Sequence, residues 1–464
     1  MTVFGAGAFR AAAAALLLAL ATLLTAGCSS QQAIDTEELG PIPLFVPDGR
    51  PSGLVFLISD ANGWSRKMAR LAQHFRSRGQ IVAGIDARQL LAHLTPDEAQ
   101  CFSLTPVFER ISQRIQGGAS LDFYHLPVLA GVGDGATLAL AGLWQAGPET
   151  IAGALTVNFR PSLASRLPLC AEPPAQPAGD GRGFAYTAPQ ALFGWWQGAW
   201  TEPVTAETQL YFPLMGAAQP AAIERSSPSV ALRRLFDQNS EEQERDAAQA
   251  LKLGDLPVVD LPGRPGTDIA AIVLSGDGGW RDLDRELGQI LATAGVRVIG
   301  IDTLRYFWSE KSPEETAMEF DRLIADLGER TGIRKIALIG YSFGADVLPA
   351  LYNRLDAQTR ERIVLISLLA LGRDAHFEIH VSGWLGGDEA EDAMPIAPEL
   401  AAINPRLLQC IYGTEESSDT GCRDLASPPA EVIAIAGGHH FDEDYPALAE
   451  RILHRLHAAR IGQK

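Results

Sequence analysis

Ala337-Leu338-Ile339-Gly340-Tyr341-Ser342-Phe343-Gly344-Ala345-Asp346 is the stretch from which the rest of the chain can be read. An apolar run passes directly into Gly-x-Ser-x-Gly, and a helix-compatible segment follows at once. That is the sequence form of a serine on a tight strand-to-helix turn, with its hydroxyl standing clear at the end of the strand. Gly340 and Gly344 let backbone come close where side chains would block it. The motif alone is weak, because a chain with 45 glycines in 464 residues reaches it easily by chance. Its surroundings carry the argument.

Upstream, Ala271-Ile272-Val273-Leu274 reads as a short buried strand feeding Ser275-Gly276-Asp277-Gly278-Gly279-Trp280. A glycine-rich loop at that point can bring backbone N–H groups against a substrate carbonyl. Val296 to Ile301 is a second apolar run and ends at Asp302. Beyond the serine, strands are expected from Ile363 to Leu369, from Gln409 to Tyr412 and from Val432 to Ile435. The last leads into Gly437-Gly438-His439-His440-Phe441. Serine, then acid, then histidine along alternating strands and helices is the α/β-hydrolase order.

The length of 464 residues favours two domains, and an apolar share of 47% is enough for two cores. A formal charge of −18 argues against a nucleic-acid-binding surface and against electrostatic adhesion to anionic lipid. Residues 1–27 read as an export signal: Arg10 is the only charge, Ala11 to Leu24 is the apolar core, and Thr25-Ala26-Gly27 precedes Cys28. Leu24-Thr25-Ala26-Gly27-Cys28 resembles a bacterial lipobox, which would make Cys28 a lipidation site; cleavage to a soluble periplasmic form is the alternative. Apart from Cys28 there remain Cys101, Cys170, Cys410 and Cys422, an even set suited to an oxidising compartment. Pairs 101–170 and 410–422 keep each bridge within one half of the chain; four buried thiols are the alternative.

The first half repeats the second. Leu54 to Trp64, ending Ser59-Asp60-Ala61-Asn62-Gly63-Trp64, follows the pattern of Ala271 to Trp280, and Val82 to Asp86 follows Val298 to Asp302. The same 21-residue spacing separates Gly63 from Gly84 and Gly279 from Gly300. At the third match, Gly131-Val132-Gly133-Asp134-Gly135 stands where the serine turn should be, with Gly133 opposite Ser342. Glycine has no side chain with which to attack a carbonyl, and Asp134 as a displaced nucleophile is a minor alternative. The expected fold is α/β with two tandem hydrolase-like domains, the N-terminal one without the serine nucleophile. The expected layout is a signal at 1–27, a tether at 28–49, a non-catalytic domain at 50–215, a proline-rich linker at 216–265 and a catalytic domain at 266–464. Within the linker, Ser240 to Leu253 reads as a polar helix, with Ser240 and Gln243 at capping-box spacing. Residues 171–185 read as an exposed loop.

Within the catalytic half, Ser342 is the nucleophile candidate. The base is His439 or His440, with His439 favoured because His-His-Phe then overlays a histidine followed by two bulky rings. The acid is sought in Thr414 to Asp419, with Asp419 preferred and Glu416 the alternative; its task is to hold the imidazole tautomer. The N–H groups of Phe343 and of Asp277 or Gly278 are the expected oxyanion hole. Trp280, Tyr306, Phe307 and Trp308 either line a channel for an apolar substrate part or pack in the core. The acidic run Gly386 to Asp392 either attracts a cation or is a solvated loop. No metal or other cofactor is expected, since adjacent histidines point apart and no helix-spaced partner follows.

Taken together, Ser275 to Trp280, Tyr306-Phe307-Trp308, Gly340 to Asp346 and Gly437 to Phe441 resemble the bacterial virulence family VirJ, and the exported two-domain layout resembles its longer relative AcvB. The resemblance covers nearly the whole mature chain. It implies a serine ester hydrolase of the periplasmic membrane face acting on aminoacyl-phosphatidylglycerol, lysyl- or alanyl-. Membrane phospholipid and type IV secretion components are the partners it implies. Two other readings stay open: a general carboxylesterase or lipase, and a non-enzymatic assembly factor.

Overall fold

The computed structural model describes residues 32–461, apart from 37–38, 95–98, 120, 122, 171–174, 180, 182, 216–224, 250–255, 380–392, 417 and 426–427. The expected export signal at 1–27, Cys28 and the acidic run 386–392 lie outside the described residues.

Two seven-stranded sheets form the frame. The first contains β1 (Gln32–Thr36), β2 (Gly40–Phe45), β3 (Gly53–Ile58), β4 (Gln80–Ile85), β5 (Val128–Val132), β6 (Gly153–Val157) and β7 (Trp195–Ala199). Their order across the sheet is β1-β2-β4-β3-β5-β6-β7. The second contains β8 (Val258–Leu261), β9 (Ile269–Leu274), β10 (Arg297–Ile301), β11 (Lys335–Tyr341), β12 (Ile363–Leu369), β13 (Leu408–Gly413) and β14 (Glu431–Ile435). These run β8-β10-β9-β11-β12-β13-β14. In each sheet one strand (β2 or β8) lies antiparallel on its neighbour (β4 or β10), and the strands beyond are parallel. From β2 and from β8 onward the two orders coincide as far as β7 and β13. Among the described residues, β14 then has no counterpart in the first sheet.

Both faces of each sheet are covered, which is why the central strands are unbroken apolar runs rather than alternating ones. The first sheet lies between α1 (Arg66–Ser77) with α4 (Pro228–Gln249) on one side and α2 (Thr105–Gly117) with α3 (Asp134–Gln145) on the other. The second lies between α5 (Asp282–Thr293) with α8 (Tyr445–Ile461), and α6 (Pro313–Thr331) with α7 (Phe343–Arg354). Local signals set the helix ends. Ser312 caps α6 by accepting the Glu315 N–H at 3.1 Å, Pro313 takes the first turn, and Gly332 closes it at φ 75°.

The structure redraws the expected boundaries. The expected tether holds β1 and β2, which extend the first sheet. The expected linker holds α4 and β8. The helix begins at Pro228, not Ser240, and buries Ala231, Leu232, Leu235 and Phe236 on the first domain, with Phe236 stacked on Phe75 at 4.0 Å. That i, i+1, i+4, i+5 stripe is an amphipathic signal that the flanking prolines obscure. Ser240 does not cap; mid-helix, its hydroxyl donates to the Phe236 carbonyl at 2.9 Å.

The domains also touch. One buried cluster holds Phe108, Ile111 and Tyr124 of the first together with Phe307, Trp308 and Phe320 of the second. The Tyr124 and Trp308 rings lie 4.8 Å apart, and the Tyr124 N–H donates to the Arg305 carbonyl at 3.3 Å. Disulfides join Cys101 to Cys170 and Cys410 to Cys422, one bridge in each domain. Among the described residues no helix is long and apolar enough to cross a membrane.

Candidate active site

Ser342 sits between β11 and α7 with φ 51° and ψ −121°, a conformation that side chains rarely adopt and that costs about 1–3 kcal/mol. Its surroundings hold it there. The Ser342 N–H donates to the Leu369 carbonyl of β12 at 2.9 Å. A Cβ on Gly340 would lie 2.4 Å from the Gly344 carbonyl oxygen, and one on Gly344 would lie 2.4 Å from that of Leu274. Glycine is therefore required at both flanks of the turn.

The histidine and the acid reach Ser342 from the two strands at the sheet's edge. Gly413, ending β13, passes so near the β14 loop that a Cβ there would lie 2.2 Å from the Gly438 carbonyl oxygen. The Glu415 N–H donates to the Gly437 carbonyl at 3.1 Å, tying the two loops together. In that setting His439 Nε2 is 2.8 Å from Ser342 Oγ, and His439 Nδ1 is 2.6 Å from Glu416 Oε1. A carboxylate can only accept, so Nδ1 carries the proton and Nε2 is left to accept from the serine hydroxyl. The His439 side chain is 40% exposed and that of Glu416 31%, so the group opens to solvent. A serine bonded to an imidazole that is itself oriented by a carboxylate is an arrangement able to generate a nucleophile.

The carboxylate on His439 is Glu416, not the preferred Asp419. Glu416 ends the short 3-10 turn Thr414–Glu416 directly after β13, whereas Asp419 lies a turn farther along, is exposed, and accepts the Ser418 hydroxyl at 3.2 Å. The Cys410–Cys422 bridge closes this loop on its own strand. Thr420 Oγ1 and the Gly421 N–H bind the Leu371 carbonyl at 3.1 and 2.9 Å, joining it to the segment after β12. His440 is turned away from Ser342 and bonds through Nδ1 to the Tyr341 hydroxyl at 3.0 Å. Burial pushes the Tyr341 phenol far up, so it stays a neutral hydroxyl.

Beside Ser342 runs the loop from Ser275 to Trp280. The Gly279 N–H donates to the Gly276 carbonyl at 3.1 Å, making a turn centred on Asp277 and Gly278 whose own N–H groups are not used in that bond. A Cβ on Gly276 would lie 3.7 Å from Ser342 Cβ, so the turn passes directly by the serine. The Phe343 N–H belongs to the first turn of α7, where N–H groups have no carbonyl of their own helix to meet. Thr303 Oγ1 donates to the Ser275 carbonyl at 3.1 Å, and the Thr303 N–H donates to Ser275 Oγ at 3.0 Å. The buried Asp284 carboxyl accepts the Gly276 N–H, and burial holds its pKa well above the ordinary 3.8. Neither Thr303 nor Asp284 is marked by any motif; aligning the two copies exposes Asp284, because Met68 stands at its place in the first.

The aromatic residues do not line a channel. Trp280 packs beneath the sheet against Gly288 and Gly300, and Tyr306 and Phe307 are fully buried. Phe307 lies 5.2 Å from the Phe343 ring, and Trp308 lies between the domains. Their expected alternative role, core packing, is the one they have. Asp346, in the first turn of α7, accepts the Gly372 N–H at 2.7 Å. Burial, with the Asp374 and Asp277 charges adding, pushes its carboxyl up to about 7. Among the described residues no group of three or more His, Cys, Asp or Glu side chains is placed to hold a metal ion. Two cavities, one lined in part by Arg264, Val296 and His457 and the other by Ile333, Lys335 and Arg362, lie at the opposite ends of the strands from Ser342.

Residues 268–460 match a family model described as bacterial virulence protein (VirJ). No curated protein matches the chain. Solved structures similar to it include proline iminopeptidase from Mycobacterium smegmatis, at 11% identity, covering 46% of this chain and 98% of that one, with a TM-score of 0.32. MenH from S. aureus is similar at 12% identity, over 44% and 98%, with a TM-score of 0.32. XC6422 from Xanthomonas campestris, titled a member of a/b serine hydrolase without lid, is similar at 12% identity, over 43% and 88%, with a TM-score of 0.29. With similarity this low, the fold rests on the strand order and the serine turn themselves.

Proposed function

We propose that this chain, whose residues 268–460 match the family model described as bacterial virulence protein (VirJ), is an exported serine hydrolase that cleaves the aminoacyl ester of aminoacyl-phosphatidylglycerol at the periplasmic face of the membrane. The observation that carries the reading is the hydrogen-bonded chain Ser342–His439–Glu416 on a strained turn at the ends of parallel strands. Ser342 Oγ attacks the ester carbonyl while His439 Nε2 takes its proton. The tetrahedral oxygen is met by the N–H groups of Phe343 and of Asp277 or Gly278. His439 then protonates the departing glycerol oxygen, and water, activated by the same imidazole, releases the amino acid from the acyl-enzyme.

The carboxylates near the serine support an aminoacyl ester over a neutral one. The Asp374 and Asp277 charges both act on Asp346, four residues after Ser342, and an aminoacyl group brings a positive ammonium to that place. Two disulfides fit an oxidising compartment. On this reading residues 1–27 direct export and Cys28 tethers the protein by lipid. Membrane phospholipid is the substrate and type IV secretion components are the partners.

The test is release of free amino acid from lysyl- and alanyl-phosphatidylglycerol liposomes by protein lacking residues 1–28, beside Ser342→Ala. Release by the first and not by the second is expected. Hydrolysis of simple esters but of neither lipid would replace this reading with a general esterase. Inactivity on every ester would leave a non-enzymatic assembly factor.

A further inference from the structure

The two copies differ in one position that breaks a local rule. In the register that aligns Gly63-Trp64 with Gly279-Trp280, Ser65 of the first copy corresponds to Arg281 of the second. Ser65 does what the position favours: as the N-cap of α1, its hydroxyl accepts the Met68 N–H at 3.4 Å. Arg281 occupies the same N-cap of α5 and makes no side-chain cap bond. A long cation at the start of a helix also opposes the helix dipole. A helix loses stability here, so the arginine is expected to serve something else.

Its contacts say what. Arg281 Nε donates to the Gly278 carbonyl of the oxyanion turn, and its Nη1 lies 3.1 Å from Glu109 Oε1 on α2 of the first domain. The Gly278–Gly279 peptide is thus held at both ends, by Arg281 on its oxygen and by the Gly276 carbonyl on its N–H. The Tyr124–Trp308 contact seats α2 and the segment after it against the catalytic domain, which places Glu109 opposite Arg281.

Resting on the serine-hydrolase reading above, we propose that Glu109 is a positioning residue: through Arg281 it orients the Asp277–Gly278 turn, so the domain that lacks a nucleophile completes the oxyanion hole of the domain that has one. Glu109 touches no substrate. It fixes the guanidinium plane, and the guanidinium fixes the peptide whose neighbouring N–H meets the developing negative charge. Such a device acts on the transition state, where that charge exists, and not on ground-state binding.

The experiment compares Glu109→Gln, Glu109→Asp and Arg281→Ser with the wild type in the full mature chain. It measures kcat and KM on alanyl-phosphatidylglycerol in mixed micelles, the rate of Ser342 phosphonylation by a fluorophosphonate, and thermal stability. Losing one oxyanion donor outright costs about 100- to 1000-fold in kcat, and a donor left in place but loosened should cost less, about ten-fold. Glu109→Gln is expected to lower kcat and the phosphonylation rate about ten-fold with KM unchanged, and Glu109→Asp to recover part of that loss. Arg281→Ser, which restores the cap present in the first copy, is expected to lower kcat while raising the melting temperature. A purely structural ion pair would lower stability in Glu109→Gln and in Arg281→Ser and leave kcat alone, and that result overturns the proposal. Wild-type kcat in Glu109→Gln overturns it too. If instead Ser342→Ala hydrolyses the lipid as well as the wild type, it is the serine-hydrolase reading that fails.

Discussion

Gly133 and Ser342 occupy the same turn in the two domains, and their backbones are nearly superimposable: φ 60°, ψ −122° against φ 51°, ψ −121°. Both N–H groups donate at 2.9 Å to the strand alongside, Val157 for one and Leu369 for the other. The flanking glycines are equally obligatory, since a Cβ on Gly131 would lie 2.1 Å from the Gly135 carbonyl oxygen. The strained turn is therefore a property of strand register and glycine spacing, and it persists where no nucleophile uses it. What differs in the first copy is the set of side chains at and around the turn. Glycine replaces the serine, Ser65 replaces Arg281, Met68 replaces Asp284, and among the described residues no strand equivalent to β14 brings up a histidine.

The comparison can be broken most sharply at the acid. Glu416→Gln keeps the shape but can no longer hold the imidazole in its productive tautomer, and kcat should fall about ten-thousand-fold. Asp419→Asn, three residues on, should stay within about two-fold. Steady-state kinetics on alanyl-phosphatidylglycerol separates them, and equal losses would contradict the Glu416 assignment.

A smaller effect is expected from exchanging the turn residues. Ser342→Gly relieves positive-φ strain of about 1–3 kcal/mol but adds glycine's freedom in the unfolded chain, about 0.5–1 kcal/mol, so the variant should gain about 1 kcal/mol. Gly133→Ser should lose a similar amount. A Cβ there would meet only Asp60 Cβ, at 3.4 Å, so the cost is in the backbone and not in space. No hydrolysis should appear, because among the described residues no imidazole faces that turn. Denaturant melts of both variants measure the pair, and shifts of the same sign would show that the turns are not equivalent.

The smallest effect concerns Asp284. Its folded pKa is raised by burial, so between the ordinary 3.8 and the raised value the folded protein keeps a proton that the unfolded chain has released. Stability from this group is complete at low pH and is lost as pH rises through the folded value. Asp284→Asn stays neutral throughout and should lose less stability than the wild type as pH rises above 4 to 5. Melting temperatures across that range for the two proteins isolate the contribution, and parallel curves would mean the carboxyl is ionised in the fold.

Much of this was legible without coordinates because it is local. Strand runs, the glycine pair around Ser342, the 21-residue spacing shared by the two copies and the terminal Gly-Gly-His are patterns within a few residues, set by backbone sterics and side-chain period. The order of the strands follows from such patterns once the duplication is seen. The prolines around α4 hid a helix whose partner, α1, lies some 160 residues earlier, and propensity does not report a partner.

What the sequence determined by itself, then, is that two copies of one α/β unit exist, that one of them carries a serine turn, and which residues end its strands. Only the tertiary structure decided that Glu416 and not Asp419 meets His439, that the aromatic triplet is packing, and that Glu109 lies against Arg281. Each depends on distances of a few ångströms between residues far apart in the chain, 23 positions for Glu416 and His439 and 172 for Glu109 and Arg281. Such distances are set by how sheets, loops and disulfides close on one another, and no local pattern encodes them.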